Sequence, residues 1–327
     1  MRHLVLTDAN RSAAIAETEA ALRAGKLVAL PTETVYGLAA DAANGIAVAR
    51  IFEAKGRPRF NPLICHVTGI AMARRYGVFN ARAEKLAEEF WPGPLTLVVP
   101  LENAAPVHPL VTAGLPTIAL RAPRGIAQKV IEKIDRALAA PSANPSGRLS
   151  PTRAAHVIEA LGDKIALVLD AGPCAVGLES TIVSLAGEAP VLLRPGGVPA
   201  EAVEGALGEK LKRAAAGDPV AAPGMLQSHY APRLPLRLDV TAVAPGEALL
   251  AFGSARPPGS PVATKNLSPS GDLVEAAANL FAFLAELDRS GAAAIAVAAI
   301  PHEGLGEAIN DRLARAAAPR HAPFTRD

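Results

Sequence analysis

Short apolar runs of four to seven residues recur along this chain, at 27–30, 63–67, 95–101, 117–121, 137–140 and 166–169. Amphipathic stretches lie irregularly between them. Runs that short, bounded by Gly, Pro and Asn, read as buried strands. Helical spacing marks residues 11–24, where Ile15, Thr18 and Leu22 share a face before Gly25, and residues 45–54, through Ala47, Val48, Ile51 and Phe52. A third helix, 81–90, opens after Asn80 as N-cap and is broken by the Trp-Pro-Gly-Pro run at 91–94. Further strands are expected at 181–185 and 191–193, with helices at 152–161 and 199–213. Because strands and helices do not strictly alternate, the expected class is α/β with a mixed, twisted sheet rather than a doubly wound parallel one.

Composition shifts after residue 213. Residues 214–235 are rich in Ala, Gly and Pro, which reads as an interdomain linker. An ordinary tether has little use for the Met, His and Tyr of Pro-Gly-Met-Leu-Gln-Ser-His-Tyr at 223–230. From 236 onward, strands at 236–240, 248–252 and 293–300 and helices at 273–287 and 306–317 suit a smaller Rossmann-like domain. The expected organisation is therefore a domain over 1–213, a linker over 214–235 and a second domain over 236–327. With half of its 327 residues hydrophobic, the chain has ample core for this. A formal net charge of +2 is too small to argue for nucleic-acid binding from the overall balance. Cys65 and Cys174, without paired spacing, read as buried free thiols. The N-terminus lacks the pattern of a signal peptide, and no apolar run is long enough to span a bilayer. A cytoplasmic protein without membrane contact is expected.

No P-loop, GxGxxG, HExxH or GxSxG element is present. The chemistry must rest on less generic groups. Lys55 and Arg57 flank Gly56 just past a helix, where cations also favour the helix dipole. Arg121 and Arg194 each end an apolar strand and are followed by Pro within two residues, a position where α/β sheets commonly bind ligands. These cations on one pocket would suit a triphosphate. The Ser142-Ala143-Asn144 turn precedes Ser150-Pro151, which reads as an N-cap followed by Pro at the first helical position. Glu179-Ser180-Thr181 is either a strand entry or a set of hydroxyl and N–H donors. His66, in an apolar strand, taken alone reads as a core histidine.

In order, PTETVYGL (31–38), KGRP (55–58) with NPL (61–63), WPGPLT (91–96), APSANPSG (140–147), ESTIVSL (179–185) and LLRPG (192–196) resemble the YrdC-like family of threonylcarbamoyl-AMP synthases. The 223–232 segment and GLGEAINDR at 304–312 resemble its longer, two-domain form. The resemblance implies synthesis of L-threonylcarbamoyl-AMP and pyrophosphate from ATP, L-threonine and bicarbonate or CO2, with Mg2+ on the nucleotide. The product would serve a downstream complex that modifies tRNA, and weak tRNA binding is an associated expectation. The resemblance also implies a YrdC-like sheet domain followed by the Rossmann-like one. Its signature tetrad is present as Lys55, Arg57, Ser142 and Asn144, expected to be catalytic.

By the same resemblance ATP would meet Arg57, Asn61, Thr117, Ser142, Ser150, Arg194, His229 and Tyr230. Threonine would meet Thr34, His66, Arg121, Ala140 and Ser180. His229 and Tyr230 would form part of a lid that excludes water from a hydrolysable mixed anhydride. Lys55→Ala and Arg57→Ala are expected to abolish activity while leaving the melting temperature nearly unchanged. The competing class is a non-catalytic double-stranded RNA or tRNA-binding module; 4% aromatic content and the small net charge weigh against it. A hydrogenase-maturation factor with a YrdC-like domain would require CxxC pairs, which this chain lacks.

Overall fold

The computed structural model describes residues 1–215, 222–225 and 229–319. The chain divides into two compact units, one comprising 1–146 and 151–225, the other 147–150 and 226–327.

The larger unit is built on one mixed sheet. Its strands are β1 (Arg2–Val5), β2 (Val28–Leu30), β3 (Gly37–Asp41), β4 (Ile64–His66), β5 (Leu95–Pro100), β6 (Thr117–Arg121), β7 (Leu138–Ala139), β8 (Leu167–Asp170), β9 (Thr181–Ser184), β10 (Val191–Arg194) and β11 (Lys212–Arg213). Their spatial order is β1-β8-β2-β3-β7-β4-β6-β5-β9-β10-β11. β4 and β6 run parallel, as do β5 and β9, whereas β5 and β6 are antiparallel. This is the mixed sheet expected from the irregular order of elements.

Side-chain alternation along these strands separates two faces. Cys65, Leu95, Leu97, Val99, Ile118, Leu120 and Val183 enter the main core. Their neighbours Ile64, Val98, Ala119 and Ile182 form a separate small cluster with Ala222. The helix Gly45–Lys55 buries Ala47, Val48, Ile51 and Phe52; the Asn44 side chain caps it, and Gly56 at φ +59° stops it.

Several local expectations are corrected. The helix expected over 199–213 is Ala200–Leu207, ended by Gly208 at φ +77°, and residues 212–213 pair as β11. The helix expected from 152 begins at Ala154 with Arg153 at its N-cap, so Ser150 does not cap it. The Pro151 carbonyl instead accepts from Tyr36 N–H. Pattern reading missed β1, β3 and the helix Ile126–Ile134, although Ile126, Val130, Ile131 and Ile134 of that helix are buried at helical spacing.

The smaller unit has an all-parallel sheet. Its strands are β12 (Leu236–Arg237), β13 (Glu247–Ala251), β14 (Thr264–Asn266) and β15 (Ala294–Val297), in the order β12-β15-β13-β14. The helix Leu273–Leu287 buries Ala277, Leu280, Phe281, Leu284 and Leu287. β14 was not anticipated. No helix among the described residues is long and apolar enough to cross a membrane. Cys65 and Cys174 are buried free thiols.

Candidate active site

Strand register organises the candidate residues. His66 pairs with Arg121, Thr96 with Ile182, and Ile182 with Arg194. Leu97 opposite Leu120 sets Thr96 beside Arg121. His66, Arg121, Thr96, Ile182 and Arg194 thus form a row across β4, β6, β5, β9 and β10. Thr117, two positions before Ala119, shares this face of β6. As expected from the sequence, Arg121 and Arg194 each end a strand, and the register sets them in one row on the sheet face.

Arg121 is buried and held on three sides. Its Nε donates to Gly93 O (3.2 Å), one terminal nitrogen to Thr34 Oγ1 (2.8 Å) and the other to Glu33 Oε1 (2.7 Å). The second Glu33 oxygen accepts from Arg124 N–H at 2.9 Å. Thr32 Oγ1 donates to Val35 O, so Thr34 Oγ1 gives its proton to Thr32 Oγ1 and uses its lone pairs for Arg121. A relay of hydroxyls therefore fixes Thr34, and Thr34 with Glu33 fixes Arg121. Burial, with Arg121 beside it, pushes His66 well below the usual imidazole range and keeps the ring neutral.

Ser180 and Thr96 share a hydrogen bond between their hydroxyl oxygens at 2.7 Å. Arg194 donates through Nε and a terminal nitrogen to Ser180 O (3.1 and 2.8 Å), and to Ser180 Oγ at 3.2 Å. Its other terminal nitrogen donates to Pro223 O at 3.3 Å, and Met225 packs against the Ile64–Val98–Ala119–Ile182 cluster. This part of the 214–235 segment therefore lies on the larger unit's own sheet face. Residues 216–221 and 226–228 lie outside the described residues.

Lys55 and the Ser142–Asn144 turn form a second group. The ammonium donates to Ser142 O and Asn144 O, both at 2.5 Å, and to Asn144 Oδ1 at 3.5 Å. Burial lowers its pKa well below the usual lysine range, Arg57 lowers it further, and Glu179 works in the opposite direction. These charges are thus close enough to act on one another. Arg57 donates to Asn61 O (3.2 Å), Asn61 Oδ1 (2.7 Å) and Pro62 O (2.7 Å). Asn61 Nδ2 is buried with no acceptor among the described residues, a donor suited to a ligand. Gly37 forms a bridge with Ser142, and Ala140 N–H donates to Ile64 O, which ties this turn to β3 and β4. Lys55 and Arg57 are buried and donate to main-chain carbonyls, an arrangement in which their removal should also carry a thermal cost.

Ser150, His229 and Tyr230 belong to the smaller unit. There the His229 and Tyr230 rings meet edge to face at 4.0 Å, Tyr230 lies 5.7 Å from Phe281, and Arg312 stacks over Tyr230 at 4.9 Å. His229 N–H donates to Arg315 O at 3.3 Å.

Glu33, Gly93 and Thr96 were not anticipated as site residues. Glu33 stands between two threonines in PTETVYGL, and only its pairing with Arg121 reveals a role. Among the described residues no cluster of His, Cys, Asp and Glu could cage a metal. A surface cavity of about 550 Å³ beside Lys26, Arg50 and Lys164 contains none of these residues. Arg50 and Lys164 donate to the carbonyls of Gly25 and Ala54 near helix C-termini, which accounts for their placement.

The chain was compared with known proteins. The Sua5/YciO/YrdC family model, described as telomere recombination, matches residues 20–196; a second, described as the threonylcarbamoyl-AMP synthase C-terminal domain, matches 198–318. A threonylcarbamoyl-AMP synthase of Pyrococcus abyssi is 42% identical over 91% of this chain and 92% of its own length. One from Bacillus subtilis is 46% identical over 68% of this chain and 66% of its own. The crystal structure of P. abyssi Sua5 complexed with L-threonine superposes with a TM-score of 0.87 at 38% identity, covering 97% of both chains. With both units matched, the chain belongs to the Sua5/YrdC family of threonylcarbamoyl-AMP synthases, in its two-domain form.

Proposed function

We propose that this enzyme condenses L-threonine with bicarbonate or CO2 and transfers AMP from ATP to the resulting carbamate, releasing pyrophosphate. The observation that carries this reading is the concentration of buried cations around hydroxyl and amide donors. Lys55, Arg57, Arg121 and Arg194 are each at most 8% exposed. Arg121 is already paired with Glu33, and these buried cations with hydroxyl and amide donors beside them suit an anionic ligand.

The threonine amine attacks CO2 to give a carbamate, and a carbamate oxygen then displaces pyrophosphate at the α-phosphorus. Positioning and charge stabilisation dominate such a transfer. In this reading Arg57, Arg194 and Asn61 Nδ2 meet the nucleotide, with Ser142, Asn144 and Thr117 as further polar contacts. Lys55 sets the shape of the Ser142–Asn144 turn and contributes positive charge. Arg121 takes the threonine carboxylate with the N–H donors that its protein partners leave. Thr34, His66, Ala140 and Ser180 line the amino-acid pocket.

Mg2+ is expected to arrive with the triphosphate, where it would neutralise phosphate charge. The adenylate then passes to a transfer complex acting on tRNA.

Incubation with L-threonine, bicarbonate, Mg2+ and ATP tests the reading. Pyrophosphate release should require both threonine and bicarbonate. Release independent of either, or none at all, overturns it.

A further inference from the structure

We propose that Glu33 is the subsite for the ammonium group of the substrate, so that Glu33 and Arg121 together select a zwitterionic α-amino acid. The proposal rests on the reading above that Arg121 takes the carboxylate. Glu33 and Arg121 form an ion pair whose side chains are 9% and 4% exposed. Each Glu33 oxygen accepts one protein hydrogen bond, from Arg121 and from Arg124 N–H. A carboxylate has room for more acceptor contacts than these.

The pair is a fixed dipole. Its negative end is held by the Glu33 main chain, whose carbonyl accepts from Val176 N–H at 2.7 Å. Its positive end is held by Thr34 and Gly93. An α-amino acid carries its two charges on adjacent groups in the complementary sense. A carboxylate seated on Arg121 would bring its own ammonium to the neighbouring acid. An acid with no amine or hydroxyl at C2 would gain only the Arg121 contact. The alternative role for Glu33 is to neutralise and orient Arg121. The two roles differ in what they do to a ligand without an amine.

Binding of L-threonine and of its deaminated counterpart, 3-hydroxybutanoate, is measured by calorimetry on wild type, Glu33→Gln and Arg121→Ala. Wild type should favour threonine. Glu33→Gln should weaken threonine by about 10- to 100-fold, the worth of a charge-assisted contact, and leave the hydroxy acid within about threefold. Arg121→Ala should weaken both. An equal loss of both ligands in Glu33→Gln, or no loss of threonine, overturns the ammonium subsite and leaves the synthase reading standing. Failure of wild type to bind threonine overturns that reading as well. A crystal of wild type with L-threonine requires no variant: the amine nitrogen should lie within about 3.2 Å of a Glu33 oxygen, and an amine directed elsewhere refutes the assignment.

Discussion

Lys55 is joined twice to Asn144, through the main-chain carbonyl at 2.5 Å and the side-chain oxygen at 3.5 Å, with Ser142 O as the third acceptor at 2.5 Å. Every N–H of the ammonium is therefore directed at the turn that carries the other half of the signature tetrad. Lys55→Ala should lower turnover by about 10²–10³. It should also lower stability by about 1–3 kcal/mol, because buried carbonyls lose their donor. Urea titration and steady-state rates on one preparation check both. Full stability with lost activity would return Lys55 to a role on ligand alone.

Gly196 makes Ser180 placement sensitive to a single methyl group. A Cβ there would lie 2.4 Å from Glu179 O, Ser180 C and Thr181 N, all main-chain atoms with no side-chain rotamer to yield. Gly196→Ala should cost about 1–3 kcal/mol or more and displace the Ser180 carbonyl from Arg194. The measured signature is a lowered midpoint with a raised KM for substrate. A midpoint unchanged within error would show that this turn can shift freely.

Tyr36 locks two site loops together. Its ring is fully buried, and its hydroxyl lies 2.7 Å from Gly172 O and 3.1 Å from Asp170 Oδ1. One end of this contact is the PTETVYGL segment bearing Glu33 and Thr34; the other begins the loop leading to Glu179 and Ser180. Tyr36→Phe keeps the ring and removes both bonds, at about 1–2 kcal/mol. The KM for threonine should rise more than the KM for ATP.

Much of this site is legible in sequence, for reasons that differ from residue to residue. TIALR at 117–121 alternates by polarity and size, so a strand with Thr117, Ala119 and Arg121 on one face follows directly. GLAAD, by contrast, lacks β-branched residues, and all five positions of β3 are buried; its strand character comes from pairing with β2 and β7, which no local pattern encodes. Ser150-Pro151 carries a capping pattern, but the Pro151 carbonyl is taken by Tyr36, a long-range contact. Glu33 is invisible as a site residue until Arg121, 88 positions away, folds against it.

The smaller unit holds the His229–Tyr230 pair by its own elements. Phe281, Arg312 and the carbonyl of Arg315 all lie beyond residue 235. A chain ending at 235 keeps the dipeptide but removes those partners. Such a truncation should leave the two rings unpacked, so that limited proteolysis cuts beside Tyr230 in the truncated chain faster than in the full chain. An unchanged cleavage pattern would mean that the dipeptide needs none of its packing.

His66 gives the last prediction a definite sign. Its folded pKa lies well below the ordinary value of about 6.5, first because the ring is buried and then because Arg121 is near. Between those two values the unfolded chain binds a proton that the folded chain does not. Stability from this residue is therefore complete above about pH 6.5 and falls as the pH drops below it. Other titrating groups contribute equally to wild type and to His66→Gln, so the difference between their pH slopes isolates this residue. The wild type should lose more stability than the variant between pH 7.5 and 5.5 in urea titrations; parallel slopes would place the ring in contact with water or with a proton acceptor.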